Sequence, residues 1–289
     1  MGVKDTLFSF KKTLNIRGKL VIMDQPMVMG ILNLTPDSFY SASRLQNKSK
    51  IIQKAEMMIQ SGASILDVGG YSSRPDADDI SVKEEMSRVI PAIEWISSAF
   101  PGCIISIDTF RSEVAEKAIS AGASMINDIS GGELDDKMFQ TVSRLKVPYI
   151  LMHMKGTPRT MKSLNQYDNL FKEISVYFNN KVNELQNFGI SDIILDVGLG
   201  FAKNIGQNYD LIRNLSYFNM FGLPLLVGVS RKSFIYKTLN TTPDLAMNGT
   251  TVLNTIALLN KASILRVHDV KEAIETITLL KKGKFDILN

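Results

Sequence analysis

A chain of 289 residues, 45% hydrophobic and 21% charged, has the composition of an ordinary globular protein and the length to bury a full-sized core. Its formal charge of +4 is mild and its basic residues are scattered, apart from short runs such as Lys11-Lys12 and Lys281-Lys282, which leaves no footprint for nucleic acid. A single cysteine, Cys103, excludes an internal disulfide framework, fits a reducing compartment and, lying in the apolar segment CIISID, is read as a core residue.

The opening MGVKDTLFSFKK lacks the basic start, apolar run and cleavage site of a signal peptide. No segment approaches the roughly 20 apolar residues of a membrane span. A cytoplasmic protein without membrane contact is the expectation. Residues 1–26 are read as an N-terminal extension in which NIRGKLVIMD forms a small hairpin over the lower mouth of the domain that follows. From 27 to 289 no linker or composition shift divides the chain, so one domain is expected there.

Within it one short phrase recurs four times, as SGASILDVG (61–69), AGASMINDI (121–129), FGISDIILDVG (188–198) and KASILRVHDV (261–270). Each reads as helix end, small-residue turn, strand and polar tip. Between the repeats lie VMGILNL (28–34), CIISIDT (103–109), VPYILMHM (147–154) and LPLLVGVS (223–230), which makes eight strand candidates. The intervals have helical periodicity: Ile51, Ile52, Ala55, Met58 and Ile59 share a face, as do Val114, Ala115, Ala118 and Ile119, and Ile174, Phe178, Val182 and Leu185. Pro91 interrupts the pattern around Met86, Ile90 and Ile93, where a kink or a late helix start is expected. Apolar strands alternating with helices imply a parallel sheet covered by helices, and eight units fit a closed (β/α)₈ TIM barrel better than an open doubly wound sheet, the alternative.

In such a barrel the active site lies at the C-terminal ends of the strands. The residues there are strongly polar: Asn33; Asp67 and the loop through Ser73, Arg74 and Pro75; Asp108; Asn127-Asp128; His153; Asp196 with Phe201 beyond it; Ser230-Arg231-Lys232-Ser233; and Arg266, His268 and Asp269. Singly, each is explained about as well by helix capping or a βα turn. Together, with both histidines at strand ends beside cations on neighbouring strands, they read as functional. Asp108, Asn127 and Asp196 offer acceptors and an amide to a flat heterocycle whose N–H groups point one way. Asn33, Arg74, Arg266 and His268 fall on neighbouring strands and suit a phosphate or diphosphate, with Asn33 as an oxygen ligand for Mg²⁺. One cysteine and two distant histidines cannot build a compact zinc site. A Ser230/His268/Asp196 triad can be drawn, but no nucleophile elbow accompanies it.

Read in order, MGILNLTPDSF, LDVGGYSSRP, SIDTF, INDISGG, LMHMKGTP, LDVGLGFAK, LPLLVGVSRKSF and RVHDV resemble the motif series of the dihydropteroate synthase family, from Met29 to Val270. The resemblance implies a pterin-binding (β/α)₈ barrel that joins (7,8-dihydropterin-6-yl)methyl diphosphate to 4-aminobenzoate, releasing diphosphate. By position, Asp108, Asn127 and Asp196 would hold the pterin with Lys232 against its face, and Asn33 through Mg²⁺, with Arg266 and His268, would grip the diphosphate. Ser233 at a helix start would meet the aminobenzoate carboxylate, and Ser73, Arg74, Pro75, Phe201 and Lys232 would line that pocket. A homodimer and inhibition by sulfonamides are implied as well.

The chain departs from the family pattern at Tyr40-Ser41-Ala42-Ser43-Arg44, which stands where Ser-Asp-Gly-Gly commonly follows TPDSF. Tyr71 replaces Glu, Ser73 replaces Thr, Asp76 replaces Gly, and Val197 replaces Pro. The altered first loop is the one support for a second reading, a paralogue that binds pterin without turnover. A third reading, methyl transfer from a folate to a corrinoid protein, would have no use for the SRKSF and RVHDV segments.

Overall fold

The computed structural model describes residues 11–34, 44–72 and 79–288, apart from the side chains of 44–46 and 162. β1 (Thr13–Ile16) and β2 (Lys19–Ile22) form an antiparallel hairpin. Arg17 and Gly18, both at positive φ (52° and 78°), make its two-residue turn, the geometry that matches strand twist. The chain then alternates strand and helix: β3 (Met27–Asn33), α1 (Arg44–Gln60), β4 (Ile65–Gly69), α2 (Val82–Ala99), β5 (Ile104–Asp108), α3 (Ser112–Ala121), β6 (Met125–Asp128), α4 (Met138–Leu145) and β7 (Tyr149–Met152). It continues with α5 (Leu170–Asn187), β8 (Ile193–Asp196), α6 (Ile205–Arg213), β9 (Leu225–Val227), α7 (Ser233–Thr238), α8 (Met247–Leu259), β10 (Ile264–Val267) and α9 (Val270–Lys282).

All barrel pairings are parallel, and β10 pairs β3 from Ile264 opposite Met27 to Val267 opposite Gly30. That pairing closes the sheet, so the barrel rather than the open sheet is the architecture. The strand alternation sorts the core into two zones. Outward residues such as Leu66, Val68, Ile126, Leu195 and Leu265 meet the helices, including the apolar faces read at 51–59, 114–119 and 174–185. Inward, Met29, Ile65, Met125, Ile150, Ile194, Leu226 and Ile264 form a floor, and Leu14, Ile16 and Met23 of the hairpin segment plug it from below. Because side chains two residues apart share a face, whatever follows this floor by two positions also points inward, one layer higher.

Of the kink or late start expected at Pro91, the late start is not found in α2. Its start is fixed at Ser81, whose side chain accepts the Glu84 N–H at 3.1 Å, with Glu84 and Glu85 in the first turn. The helix runs on through Pro91 because the buried Val89, Ala92, Ile93 and Ile96 around it anchor both halves. Cys103 is free and only partly buried, with its thiol pushed up to about 11 by burial. Among the described residues no helix is long and apolar enough to cross a membrane.

Leu14 is 1% exposed, so Leu14→Ala is expected to lower the unfolding free energy by about 2–4 kcal/mol in a urea titration. A loss below about 0.5 kcal/mol would mean that the hairpin does not pack as a plug.

Candidate active site

Two residues above the apolar floor the inward positions turn polar. Ile65 is followed by Asp67, Met125 by Asn127, Ile194 by Asp196 and Ile264 by Arg266, one from each of β4, β6, β8 and β10. This is the alternate-strand layer of a filled barrel, built here from four polar groups. Asp67 is fully buried, and its Oδ2 accepts both Asn127 Nδ2 at 3.0 Å and Arg266 Nε at 2.6 Å. Among the described residues its Oδ1 has no hydrogen-bond partner. Arg266 Nη2 reaches on to Asp108 Oδ2 at 2.6 Å. One guanidinium thus ties β10 to β4 and β5 across the barrel mouth. It also joins residues that the sequence reading had assigned to separate pterin and phosphate clusters.

Burial raises the pKa of Asp108, with Arg266 pulling it down and Asp67 pushing it up. Asp196 is likewise raised by burial and lowered by Lys232. Its Oδ1 accepts the Gly198 N–H at 2.8 Å, which leaves Oδ2 for a ligand donor. Lys232, just before α7, donates to the Leu199 carbonyl and lies 4.7 Å from the centroid of the Phe201 ring. Burial pulls its ammonium down to about 8, against the upward pull of Asp196. Phe201 packs with Met152, Met154 and Phe110 in an apolar cluster on the upper side of the barrel.

His268 is oriented by Ser230, whose Oγ lies 3.0 Å from Nδ1 and accepts the His268 backbone N–H at 3.1 Å. The Ser230 Oγ and His268 Nδ1 share a hydrogen bond whose direction follows the ring tautomer, so the contact fixes the ring plane. Protein packed around the ring and the Arg266 cation pull the histidine below its usual pKa, although the residue keeps one side open at the rim. His268 is therefore a neutral ring held at the rim by Ser230. The triad drawn from the sequence is not assembled, since Asp196 bonds to Gly198 instead.

Other strand-end residues turn out to be scaffold. His153 is 3% exposed, with Tyr177 edge-on at 4.9 Å and Lys203 Nζ 3.1 Å from its Nδ1. Lys203 Nζ donates to the carbonyls of Gly198 (3.1 Å) and Phe201 (3.0 Å), stapling the loop after β8, and burial brings its pKa down to about 7. Arg231 forks onto Asp269 at 3.0 and 2.7 Å, tying the loop after β9 to that after β10. Asn33 ends β3, exposed, and Ser233 opens α7, exposed, after a Lys232 that makes no side-chain cap. Ser73, Arg74, Pro75 and the altered loop at Tyr40–Arg44 lie outside the described residues and side chains. Asp67 was missing from the residues assigned to binding. The signal for it was the fourfold repeat, in which Asp67, Asn127, Asp196 and Arg266 occupy one aligned position.

The comparisons agree with this geometry. Residues 29–268 match the family model for pterin binding enzymes. The dihydropteroate synthase of Escherichia coli strain K12 is 40% identical over 267 residues, 92% of this chain and 94% of that one. The chain belongs to the dihydropteroate synthase family. A Yersinia pestis dihydropteroate synthase solved with a sulfonamide drug complex superposes with a TM-score of 0.88 at 37% identity, covering 94% of this chain and 99% of its own. That from Xanthomonas albilineans with 4-aminobenzoic acid gives 0.87 at 32% identity, covering 94% and 98%. If Lys232 lies over a pterin face, as the family resemblance implies, its charge is an asset there only while protonated. Pterin affinity, followed by calorimetry, is therefore expected to fall as pH rises through about 8, where Lys232 loses its charge, and Lys232→Gln is expected to remove that limb. A pH-independent affinity in the parent would contradict the role of Lys232.

Proposed function

We propose that the upper mouth of the barrel condenses (7,8-dihydropterin-6-yl)methyl diphosphate with 4-aminobenzoate, yielding 7,8-dihydropteroate and diphosphate. The observation that carries this reading is the polar layer itself: buried carboxylates and an amide, over-supplied with acceptors, directly above a floor of apolar side chains. Such a layer matches the amino and ring N–H groups of a pterin. Asp196 takes paired donors through its free oxygen, Asn127 is oriented by Asp67, and Asp108 completes the edge. Lys232 lies against the ring face.

At the diphosphate end Arg266 uses Nε and Nη2 on carboxylates and keeps Nη1 for a phosphate oxygen, with His268 beside it at the rim. Asn33 is the proposed protein ligand for Mg²⁺. Among the described residues no cluster of three or more His, Cys, Asp or Glu side chains could cage a metal. One exposed amide oxygen therefore fits an ion that arrives mostly hydrated and on the substrate phosphates. Held there, Mg²⁺ would supply positive charge to a departing diphosphate. The 4-aminobenzoate carboxylate is assigned to Ser233 and the uncapped start of α7, with Ser73, Arg74, Pro75, Phe201 and Lys232 around the ring.

The chemistry asks for little proton transfer. The methylene C–O bond breaks with its electron pair leaving on diphosphate, and the electron-rich dihydropterin supports the cationic carbon. The arylamine nitrogen then forms the C–N bond and loses a proton. Arg266 and His268 stabilise the leaving charge, and the apolar cluster with Phe201 limits the access of water to the cation. The neutral arylamine is already a nucleophile, so His268 is not assigned as its base.

The proposal extends to a homodimer through α8 and α9, where Val252 is 50% and Leu279 72% exposed, and to a cytoplasmic location. The test supplies purified protein with both substrates and Mg²⁺ and follows dihydropteroate and diphosphate together. Matched, Mg²⁺-dependent formation is expected, and tight pterin binding without product would favour the non-catalytic paralogue. Asp196→Asn is expected to weaken pterin binding by about tenfold or more, since the amide must turn its NH2 toward either the Gly198 N–H or a ligand donor. Unchanged pterin affinity in that variant would remove Asp196 from the site.

A further inference from the structure

Between β8 and α6 the backbone takes positive φ at every second residue, at Gly198 (69°), Gly200 (82°) and Ala202 (48°). For a residue with a side chain, such as Ala202, this conformation is costly and persists only where the surroundings over-determine it. Space is as restricted as φ. A Cβ on Gly198 would stand 2.0 Å from the His153 carbonyl oxygen, and one on Gly200 would stand 2.9 Å from Lys232 Cδ. The coil is therefore pressed between the chain leaving β7 and the stem of Lys232.

Two side chains hold it there. From one side Lys203 Nζ donates to the Gly198 carbonyl at 3.1 Å and the Phe201 carbonyl at 3.0 Å, and lies 3.4 Å from the carbonyl oxygen and 3.1 Å from Nδ1 of His153. From α6, Asn208 is 1% exposed and its Oδ1 accepts the Gly200 N–H at 2.6 Å. Its Nδ2 donates to the carbonyls of Asn204 at 2.7 Å and Lys203 at 3.3 Å. All of these bonds go to backbone or to His153. What the coil presents in turn is specific: the Gly198 N–H fixes Asp196 Oδ1, the Leu199 carbonyl accepts the Lys232 ammonium, and the Phe201 ring lies 4.7 Å from that ammonium.

We propose that Lys203 and Asn208 are positioning residues for pterin binding: by clamping the β8–α6 coil they aim the free oxygen of Asp196 and seat the Lys232 ammonium beside Phe201. This rests on the synthase reading, in the part that assigns Asp196 and Lys232 to the pterin. Lys203 also acts on Asp196 through its charge, which pulls that carboxyl down. Asn208 carries no charge, so it reports the geometry alone.

The test measures the affinity of the folded protein for the dihydropterin methyl diphosphate by calorimetry, with urea unfolding run beside it. Asn208→Ala leaves the Gly200 N–H without its acceptor and is expected to weaken binding about fivefold, and Lys203→Met about tenfold or more. In Asn208→Ala the alkaline limb set by Lys232 is also expected to move down by about half a pH unit, because a displaced carbonyl no longer favours the ammonium. The charged groups that act on Lys232, namely Asp196, Arg266, Asp108 and Lys203, are all retained in that variant. A purely structural role would lower the unfolding free energy and leave both affinity and limb in place, and that result would overturn the proposal. A loss confined to Lys203→Met would assign the effect to its charge and would overturn it too. Where Lys203→Met does not fold, Asn208→Ala decides alone. A parent protein that does not bind the pterin would instead overturn the reading on which the proposal rests.

Discussion

The arrangement depends on one cation placed among carboxylates where water is scarce. Arg266 rises from β10 into the barrel mouth and bonds Asp67 on β4 and Asp108 on β5, both at 2.6 Å. Asp67 in turn holds the amide of Asn127. Without the guanidinium, two acids would face each other over an apolar floor, and removing one partner of such a buried set typically costs about 3–5 kcal/mol. With it, the carboxylates keep their acceptor oxygens aimed, and the third arm of the fork is left for an incoming anion. In the proposed reaction, recognition of the flat heterocycle and of its diphosphate would draw on this single network.

The fold supports that network through ordinary barrel geometry. Period-two alternation sets an apolar layer, plugged by the hairpin segment, directly below a polar one. The loops above are fixed by charged groups bonded within the protein: Lys203 staples the β8 loop by its carbonyls, and Arg231 binds Asp269 across two loops. His153 disappears under α5 against Tyr177. Polar side chains in such a barrel thus divide between holding backbone and facing the cavity, and only distance and burial separate the two groups.

Much of this was legible in the sequence, because strands buried on both faces write themselves as apolar runs and the fourfold phrase marks alternate strands. The eight strands, their order and the polar strand ends follow from that. The repeat even aligned Asp67 with Asn127, Asp196 and Arg266, yet Asp67 also fits a helix-capping role, and one-dimensional spacing does not show that Arg266 crosses to it. Partner choice across a closed barrel depends on register and shear, which no local pattern encodes. The same holds for Pro91: a proline inside a periodic stretch signals a break, but a capped start at Ser81 and a well-buried face carried α2 through it.

The central claim is that Asp67 acts by holding Arg266. A double-mutant cycle of Asp67→Asn and Arg266→Lys, read in kcat/KM for the pterin diphosphate, measures that link directly. The account predicts a coupling energy above about 1.5 kcal/mol between the two positions, and losses that add to within about 0.5 kcal/mol would contradict it.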